Sequence, residues 1–285
     1  GMGSSLTALP TVASTIAGAE KTLAAMGART MYVTVPDLEK PPEALKSRLP
    51  DALILEGALQ GDMIGSSNSA FVEKLRSIPT VWILGRPQNA WGDVVGSNDF
   101  EVGSMAARSL LDAGHRDLAF VNPKPDHVLF QRREDGFRAA ARRGGAESVL
   151  SFSEPPTEGW HLPLQAPEHV EVVQSLVDKI IDASPRPTGI FTAADSIAVL
   201  VYRALAIRGL VVGRDFSLVS GNNDVSLIAG LHPSLTTFDV NAFSIGQQAV
   251  RQLAMRLRHG PEMPGVEVFL APQEVVGESV VPLKD

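Results

Sequence analysis

The sequence predicts an α/β fold with parallel sheets, and a strand–helix–strand unit in its second half carries most of that prediction. An apolar run of strand length, Gly189 to Ala193, is followed by Asp195-Ser196, which can cap a helix by accepting backbone N–H bonds. Apolar residues then recur at helical spacing until Gly209, and a second strand, Phe216 to Val219, runs into polar residues. Polar residues after parallel strands indicate the sheet edge at which ligands bind.

The first half of the chain repeats this alternation of strands and helices. Such alternation is typical of a parallel sheet that is covered by helices on both faces. The predicted helices are Pro10–Met26, Glu43–Leu49 and Phe71–Ile78, and the predicted strands are Met31–Val35, Ala52–Leu55, Thr80–Leu84 and Val94–Gly96.

The remaining elements continue the pattern. Asp99 can cap a helix that ends at Gly114, and Asn241 can cap a long helix that ends at Gly260. Gly136 lies inside a predicted helix, where glycine costs stability, and it therefore indicates close packing or a nearby ligand. The other predicted helices are Gln131–Arg143 and Val170–Asp182, and the other predicted strands are Leu118–Val121, Val266–Leu270 and Glu274–Val280.

Composition limits the function classes. The 285 residues suffice for one large domain or two lobes, and the formal net charge of −7 argues against DNA binding by this chain alone. The absence of cysteine excludes disulfides, thiolate catalysis and cysteine-ligated zinc, and it fits the cytoplasm. No apolar stretch has the length of a membrane span, so we expect no membrane partner.

Catalytic motifs are also missing. The sequence has no phosphate-binding P-loop, no GxSxG elbow and no HExxH pair among its six histidines. We expect His115 to make a structural hydrogen bond at a helix end, and His127 to be solvated in a loop. With no nucleophile placed beside a base, the sequence is that of a binding protein without metal or cofactor.

Several motifs together resemble a known family. Asp99 begins a helix that leads to Gly114-His115-Arg116 and a strand, and an RxxGF element follows at Arg133, Gly136 and Phe137. The segment from Thr192 to Leu205, the string LVSGNND and the string PSLTTF then come in this order. This arrangement resembles the effector-binding core of lactose-repressor (LacI/GalR) type transcription regulators, which shares its fold with periplasmic sugar-binding proteins.

The resemblance implies two Rossmann-like lobes with parallel sheets, of the periplasmic-binding-protein type I, joined by three hinge crossings. The N-terminal lobe is predicted to comprise residues 1–122 and 239–264, and the C-terminal lobe residues 123–238 and 265–285. The effector cleft would lie between them. In the family a helix-turn-helix headpiece precedes this core, so we expect operator DNA as a partner only through that missing segment.

The resemblance also implies the ligand-binding residues, and Trp160 is added as a lid that stacks on a sugar face or simply packs. Arg133 would donate to sugar hydroxyls or carboxylates, because a guanidinium offers a fork of donors. Asp195 is either a helix cap or a ligand contact. The full set of candidates is Ser4, Asp99, Arg133, Trp160, Asp195 and Asn223.

Three positions depart from the family pattern. Ala194-Asp195 replaces the usual Asn-Asp, and Phe100 stands where asparagine is usual. Asn223 takes the place of the ligand-binding aspartate. An amide gives one acceptor and donors where a carboxylate accepts two hydroxyls, and it does not repel an acidic effector. The departures therefore open the question of whether the effector is a neutral sugar.

The sequence leaves more than one function open. The first is an effector-sensing, homodimeric regulator domain whose dimer uses the helices near Pro10–Met26, Phe71–Ile78 and Asn241–His259. The second is an extracytoplasmic sugar-binding receptor of a transporter, and a third is an α/β enzyme of sugar metabolism. The LTT element and the Gly-His-Arg segment favour the regulator.

Overall fold

The structure is a computed structural model that describes residues 9–35, 40–47, 49–56, 69–87, 89–154, 170–260 and 262–283. These residues form two compact units. Unit 1 holds the described residues up to Ser97 together with Asn241–Leu270, and unit 2 holds residues 98–154, 170–240 and 271–283. Over the described ranges the chain passes between the units three times, after Ser97, Val240 and Leu270.

The two units contain the following elements. The helices are α1 (Pro10–Ala25), α2 (Glu43–Ser47), α3 (Ala70–Arg76), α4 (Asp99–Asp112), α5 (Val128–Arg143), α6 (Val170–Ile181), α7 (Asp195–Ile207), α8 (Val225–Ile228) and α9 (Ala242–His259). The strands are β1 (Leu53–Leu55), β2 (Thr80–Ile83), β3 (Asp93–Ser97), β4 (Asp117–Asn122), β5 (Ser148–Ser153), β6 (Gly189–Thr192), β7 (Ser217–Asn222), β8 (Thr236–Asp239), β9 (Glu267–Leu270) and β10 (Gln273–Val275).

Unit 1 is a parallel sheet in the order β1-β2-β3-β9. Strands β2 and β3 are buried throughout, and apolar residues or glycine occupy their central positions. Helices α1 and α9 approach each other closely through two glycines. A Cβ at Gly18 would lie 1.9 Å from the carbonyl oxygen of Phe243, and one at Gly246 would lie 1.8 Å from that of Thr15. Only glycine fits at these two positions.

A buried carboxylate ties α9 to this sheet. Asp93, at the start of β3, accepts hydrogen bonds from Gln252 (2.9 Å), from the Val266 backbone N–H (2.9 Å) and from two nitrogens of Arg256. Burial raises the pKa of Asp93, but these hydrogen bonds outweigh burial and lower its pKa below the usual value. The cluster fixes the start of β3 against α9 and the chain segment before β9.

Unit 2 has a six-stranded sheet in the order β10-β8-β7-β6-β4-β5. All neighbours are parallel except β10, which runs antiparallel to β8. The core is rich in aromatic rings, and Phe120, Phe137 and Phe191 contact one another at centroid distances of 5.2 to 6.3 Å. This sheet and the parallel sheet of unit 1 confirm the predicted α/β class.

Glycines also bring α4 and α5 together in unit 2. A Cβ at Gly103 would lie 1.8 Å from the backbone oxygen of Arg133, and one at Gly136 would lie 1.9 Å from that of Phe100. The stability that Gly136 costs within its helix is therefore explained by close packing, as the sequence indicated. This contact places the first turn of α4 directly beside Arg133.

The predicted lobe boundaries, 1–122 with 239–264 and 123–238 with 265–285, need correction. Residues 98–122 belong to unit 2, because α4 packs on α5 and β4 pairs with β5 and β6. Strand β9 belongs to unit 1, because it pairs with β3 and not with the sheet of unit 2. The effector cleft between the lobes stays a prediction.

Two predicted strands also differ. Met31–Val35 forms no ladder with the described residues, because Val33 and Val35 pack against the cluster of Leu45, Phe71, Leu75 and Ile78 without backbone pairing. Glu274–Val280 pairs only over its first residues, as β10. Beyond it, side chains and single backbone bonds hold the segment: Gly277 donates to Thr236 Oγ1 (3.0 Å), and the Ser279 hydroxyl bonds to Leu218 and Thr236. The Leu218 N–H also donates to the Ser279 carbonyl oxygen (3.0 Å).

Candidate functional site: the carboxyl edge of the unit 2 sheet

Polar residues gather where the parallel strands of unit 2 end. Asn122 ends β4, Ala194-Asp195 follows β6, Asn222 ends β7 and Asp239 ends β8. Because these strands are neighbours in one sheet, their carboxyl ends lie along a single edge. The sequence predicted the polar residues after β6 and β7, while Asn122 and Asp239 were missed, although Asn122 directly ends an apolar run.

Arg133 lies over this edge. Its Nε donates to Asp99 Oδ1 at 2.8 Å and its Nη1 donates to the carbonyl oxygen of Ala193 at 2.6 Å. A Cβ at Gly221 would lie 2.9 Å from Nη1, so glycine is needed there to let the guanidinium cross the end of β7. Arg133 is only 3% exposed, and it therefore belongs to the edge and not to the outer surface of α5.

Asp99 is buried beside Arg133 and does not cap its helix. The cap of α4 is Asn98, whose side chain accepts from the Glu101 N–H at 3.1 Å. Burial raises the pKa of Asp99 above its usual value, although the Arg133 guanidinium acts in the opposite direction. A protonated Asp99 would leave Arg133 as an uncompensated buried cation, which costs several kcal/mol, so the pair is ionised at neutral pH. Asp99 Oδ2 has no hydrogen-bond partner in the described part of the chain.

Asp195 is fully buried and links three elements. Its Oδ2 accepts from the Asp224 N–H at 2.7 Å and its Oδ1 accepts from the Thr237 hydroxyl at 2.7 Å. Of its two predicted roles, helix cap or ligand contact, the cap is not observed: α7 has no side-chain cap, because both carboxylate oxygens are engaged by later parts of the chain. The ligand contact stays a prediction. Burial raises the pKa of Asp195 to about 6, although the bonds from Asp224 and Thr237 act against burial.

Asn223 sits in a strained turn after β7. Asn222 and Asn223 have φ values of 121° and 60°, a region that asparagine tolerates better than most residues. The Asn223 amide donates to Asp239 Oδ2 at 3.1 Å, and the Asn222 amide donates to Asp224 Oδ2 at 3.2 Å. The turn thus directs two carboxylates and two amides to the same edge as Arg133.

An aromatic pair beside Arg133 was missed. His127 stacks on Phe130 with the ring centroids 4.1 Å apart, and the Arg133 guanidinium lies 5.9 Å from the Phe130 centroid. The prediction that His127 is solvated is wrong. Burial lowers its pKa to about 3, and Nδ1 is buried without a partner among the described residues. The spacing of His127, Phe130 and Arg133, three residues apart on one helical face, could have indicated the pair.

His115 lies at the amino end of the strands, away from this edge, and it has the structural role that the sequence indicated. Its Nδ1 is 2.9 Å from Thr188 Oγ1, and its Nε2 is 2.7 Å from Ser217 Oγ and 3.1 Å from the Val281 oxygen. Burial lowers its pKa. The ring therefore connects the end of α4 to β6, β7 and the C-terminal segment.

Two of the predicted site residues are not described. Ser4 and Trp160 lie outside the described residues. Asn241 precedes α9 but makes no side-chain cap, because its backbone adopts the left-handed conformation with φ of 58°. Over the ranges that the structure covers, no group of three or more acidic or histidine side chains has the arrangement of a metal site, and no helix is both long and apolar enough to span a bilayer.

Comparison with known proteins identifies the class of fold. Residues 107–280 match the family described as periplasmic binding protein-like domain. A LacI family transcriptional regulator from Enterococcus faecalis V583, solved with bound ribose, is 25% identical with a TM-score of 0.73, and the match covers 98% of this chain and 97% of that one. A regulator of the LacI family from Rhizobium etli gives a TM-score of 0.76 at 21% identity, over 97% of this chain and 96% of that one.

Sequence relatives agree with the structural ones. The ribose operon repressor of Haemophilus influenzae is 29% identical over 182 residues, which are 64% of this chain and 51% of the repressor. The repressor PurR of Aliivibrio fischeri is 28% identical over 234 residues, or 80% of this chain and 65% of PurR. The matched region thus spans about half the length of the ribose operon repressor. The chain belongs to the periplasmic binding protein-like family, whose model matches more than half of its residues.

Proposed function

We propose that this chain is the effector-sensing and dimerisation part of a LacI-type transcriptional regulator, and that it binds a small polar metabolite, a sugar or a sugar-like molecule. The observation that carries the proposal is the carboxyl edge of the unit 2 sheet. There the Arg133 guanidinium, the Asp195 carboxylate and the Asn223 amide occupy one edge as hydrogen-bonding groups. The ribose bound to the Enterococcus faecalis relative supports a sugar as the ligand class.

Binding without catalysis follows from the same residues. Asp99 and Asp195 are each held by hydrogen bonds within the fold, and the hydroxyl beside Asp195, that of Thr237, is buried and donates to the carboxylate. We expect a cytoplasmic homodimer that reaches operator DNA through a helix-turn-helix segment outside this chain. An effector would change operator binding by its differential affinity for two arrangements of the dimer. Ser4 and Trp160 stay candidate contacts.

The transport-receptor alternative is weaker, because the relatives are transcriptional repressors and regulators. The two functions differ in what the ligand controls. In the regulator, the effector changes the affinity of the full-length dimer for operator DNA, whereas a receptor has no operator. A gel-shift titration of the full-length protein with and without ligand distinguishes them.

A thermal-shift screen with sugars, sugar acids and nucleosides tests the proposal. A ligand at 100 times its Kd stabilises the folded protein by about 2.7 kcal/mol. We expect Arg133→Ala to abolish this stabilisation while the far-UV circular dichroism of the protein is retained, because the released Asp99 carboxyl can take up a proton.

The matched control is Arg138→Ala. Arg138 lies on the same helix but binds Glu134 and the Val149 carbonyl, away from the carboxyl edge. We expect this variant to retain the ligand-induced shift. An Arg133→Ala protein that folds and still shows the full shift would remove Arg133 from the site.

A further inference from the structure

A cavity lies between the carboxyl ends of α4 and α5 in unit 2. Its volume is about 310 Å³, at the lower end of the range for small-molecule sites. The two helices run in the same direction: Gly103 faces Arg133 in the first part of the pair, and Gly144 faces Leu111 at its end. Arg143, which lines the cavity, is about 15 Å from Arg133 along the helix axis. The cavity is therefore separate from the proposed effector site and does not depend on that proposal.

The lining of this cavity is rich in arginine. Its charged residues are Arg108 and Asp112 from α4, Arg116 from the segment that follows α4, and Arg143 from α5. Arg108 is paired with Glu101 at 2.5 Å, and Glu101 lies outside the lining. The lining charges that remain are Arg116 and Arg143 against Asp112, so positive charge is in excess. A recess with an excess of one charge concentrates ions of the opposite sign.

Two of these arginines have donors that face a ligand. Nη1 of Arg116 donates to the backbone oxygens of Leu111 (2.8 Å) and His115 (3.0 Å), which fixes the guanidinium at the end of α4. Its Nε and Nη2 have no acceptor among the described residues. Arg143, exposed in the last turn of α5, makes no hydrogen bond or ion pair with the part of the chain that the structure describes. Both guanidinium groups can therefore donate to a bound molecule.

The floor of the cavity is apolar. Leu111 and Ala140 are buried there. Gly144 has a φ of −87°, which residues other than glycine also adopt, whereas the left-handed position is taken by Gly145, with a φ of 80°. A Cβ at Gly144 would lie 2.5 Å from Leu111 Cδ1. Space, and not backbone conformation, therefore explains the glycine at Gly144, since a side chain there would press on the floor.

We propose that this cavity is a second ligand site, which binds a phosphate group, either free or carried by a small organic molecule. A guanidinium matches phosphate geometrically, because its planar fork of N–H donors can bind two oxygens at once. Arg116 and Arg143 belong to different elements, so they can approach one phosphate from two sides. The apolar floor offers a contact for the carbon atoms of an organic phosphate, and the volume of the cavity limits such a molecule to a small one.

Isothermal titration calorimetry of the whole chain tests the proposal. The ligands are inorganic phosphate and glycerol 3-phosphate, with glycerol as the uncharged control, and the ionic strength is kept low because salt screens exposed charges. We expect wild type to bind both phosphates and not glycerol. Tighter binding of glycerol 3-phosphate would assign the site to an organic phosphate, and equal affinities would assign it to the phosphate group alone; both results support the site.

Three variants locate the binding. Arg143→Gln is expected to weaken phosphate binding at least about tenfold, because it removes charged hydrogen bonds. Arg142→Gln removes the same charge from the adjacent exposed position, which does not line the cavity, and is expected to keep the wild-type affinity. Asp112→Asn removes the carboxylate of the lining and is expected to tighten phosphate binding roughly threefold.

A purely structural role gives different results. Cations at the carboxyl end of a helix stabilise it through the helix dipole, so Arg116 and Arg143 could serve stability alone. In that case Arg143→Gln would lower the melting temperature, and wild type would bind neither phosphate. That outcome would overturn the proposal, as would phosphate binding that Arg143→Gln leaves unchanged or that Arg142→Gln weakens equally. Since Arg143 and Asp112 are both exposed, their variants are expected to fold, which circular dichroism checks.

Discussion

Each unit buries one aspartate against an arginine, and the two pairs differ in how completely the carboxylate is satisfied. In unit 1, both oxygens of Asp93 are engaged by Arg256, and Gln252 and a backbone N–H complete the set. In unit 2, Asp99 binds Arg133 through Oδ1, while Oδ2 has no partner among the described residues. Asp93 begins its strand, whereas Asp99 lies beside the carboxyl edge where ligands bind. The saturated pair is structural, and we propose that the unsaturated pair at that edge belongs to the ligand site.

The difference is not a matter of helix packing, because both units use the same packing device. Gly18 and Gly246 join α1 to α9, and Gly103 and Gly136 join α4 to α5, with Cβ clearances of 1.8 to 1.9 Å in every case. In unit 2 this contact involves the backbone of Arg133, so the helix pair also positions the site. In unit 1 it involves Phe243 and Thr15, neither of which contributes to the Asp93 cluster.

The largest expected effect concerns the Asp93–Arg256 pair of unit 1, in which both carboxylate oxygens are hydrogen-bonded. Arg256→Met removes the cation and leaves Asp93 buried without its charge partner, which we expect to lower the free energy of unfolding by about 3–5 kcal/mol. Urea denaturation followed by circular dichroism measures the change. Arg251→Met, on an exposed position of the same helix, is the control and is expected to change stability by no more than about 0.5 kcal/mol. Equal losses in the two variants would show that the Asp93 cluster contributes nothing specific.

The sequence was most informative where a local rule decides the outcome. Gly136 was assigned to close packing or a ligand because glycine is costly inside a helix, and Phe100 of the facing helix explains it. Most strands of the two sheets were found from apolar runs, since buried parallel strands are apolar on both faces. Strands β5 and β8 were not, because their sequences, SVLSFS and TTFD, are not continuous apolar runs. Family motifs added the position of Arg133, which composition and periodicity alone do not reveal.

Local rules failed where a partner lies far along the chain. Asp195 was predicted to cap its own helix or to contact the ligand, but its hydrogen-bond partners are Asp224 and Thr237, 29 and 42 residues later. The unit boundary was misplaced because strand pairing, not sequence order, assigns β9 to the sheet of β3. Asp99 was seen as a cap or a ligand contact, and its pairing with Arg133 depends on how two helices pack.

The second prediction contrasts the pH response of Asp195 with that of Asp93. Burial raises the pKa of Asp195 to about 6 in the folded protein. Between the two pKa values, the folded state therefore holds a proton that the unfolded chain has released. Asp195 thus contributes to the free energy of unfolding below its unfolded-state pKa, and this contribution is lost as pH rises through its folded-state pKa. The loss in the free energy of unfolding from this group is about 3 kcal/mol between about pH 4 and 6. Asp93 has a lowered pKa in the folded protein. It therefore contributes to the free energy of unfolding above its unfolded-state pKa, and this contribution is lost as pH falls through its folded-state pKa.

Denaturation curves at several pH values between about 3 and 7 measure how the free energy of unfolding changes with pH in each variant. We expect Asp195→Asn to lose less stability than wild type between about pH 4 and 6, because the amide does not titrate. We expect Asp93→Asn to lack the wild-type decline at the acidic end. An Asp195→Asn protein that follows the wild-type curve over that interval would mean that Asp195 is not held protonated by burial.

The smallest expected effect separates packing from site geometry. Gly103→Ala and Gly246→Ala each place a methyl group 1.8 Å from a backbone oxygen, so one helix must move, at a net cost of about 1–3 kcal/mol in either unit. The stability losses should be similar, but the effects on ligand binding should not. Gly103→Ala displaces the backbone of Arg133 and is expected to weaken sugar binding in a calorimetric titration, whereas Gly246→Ala displaces Thr15 and is expected to leave binding unchanged. If both variants weakened binding equally, the α4–α5 contact would have no special part in positioning Arg133. The helix pair of unit 2 would then differ in no functional respect from the structural helix pair of unit 1.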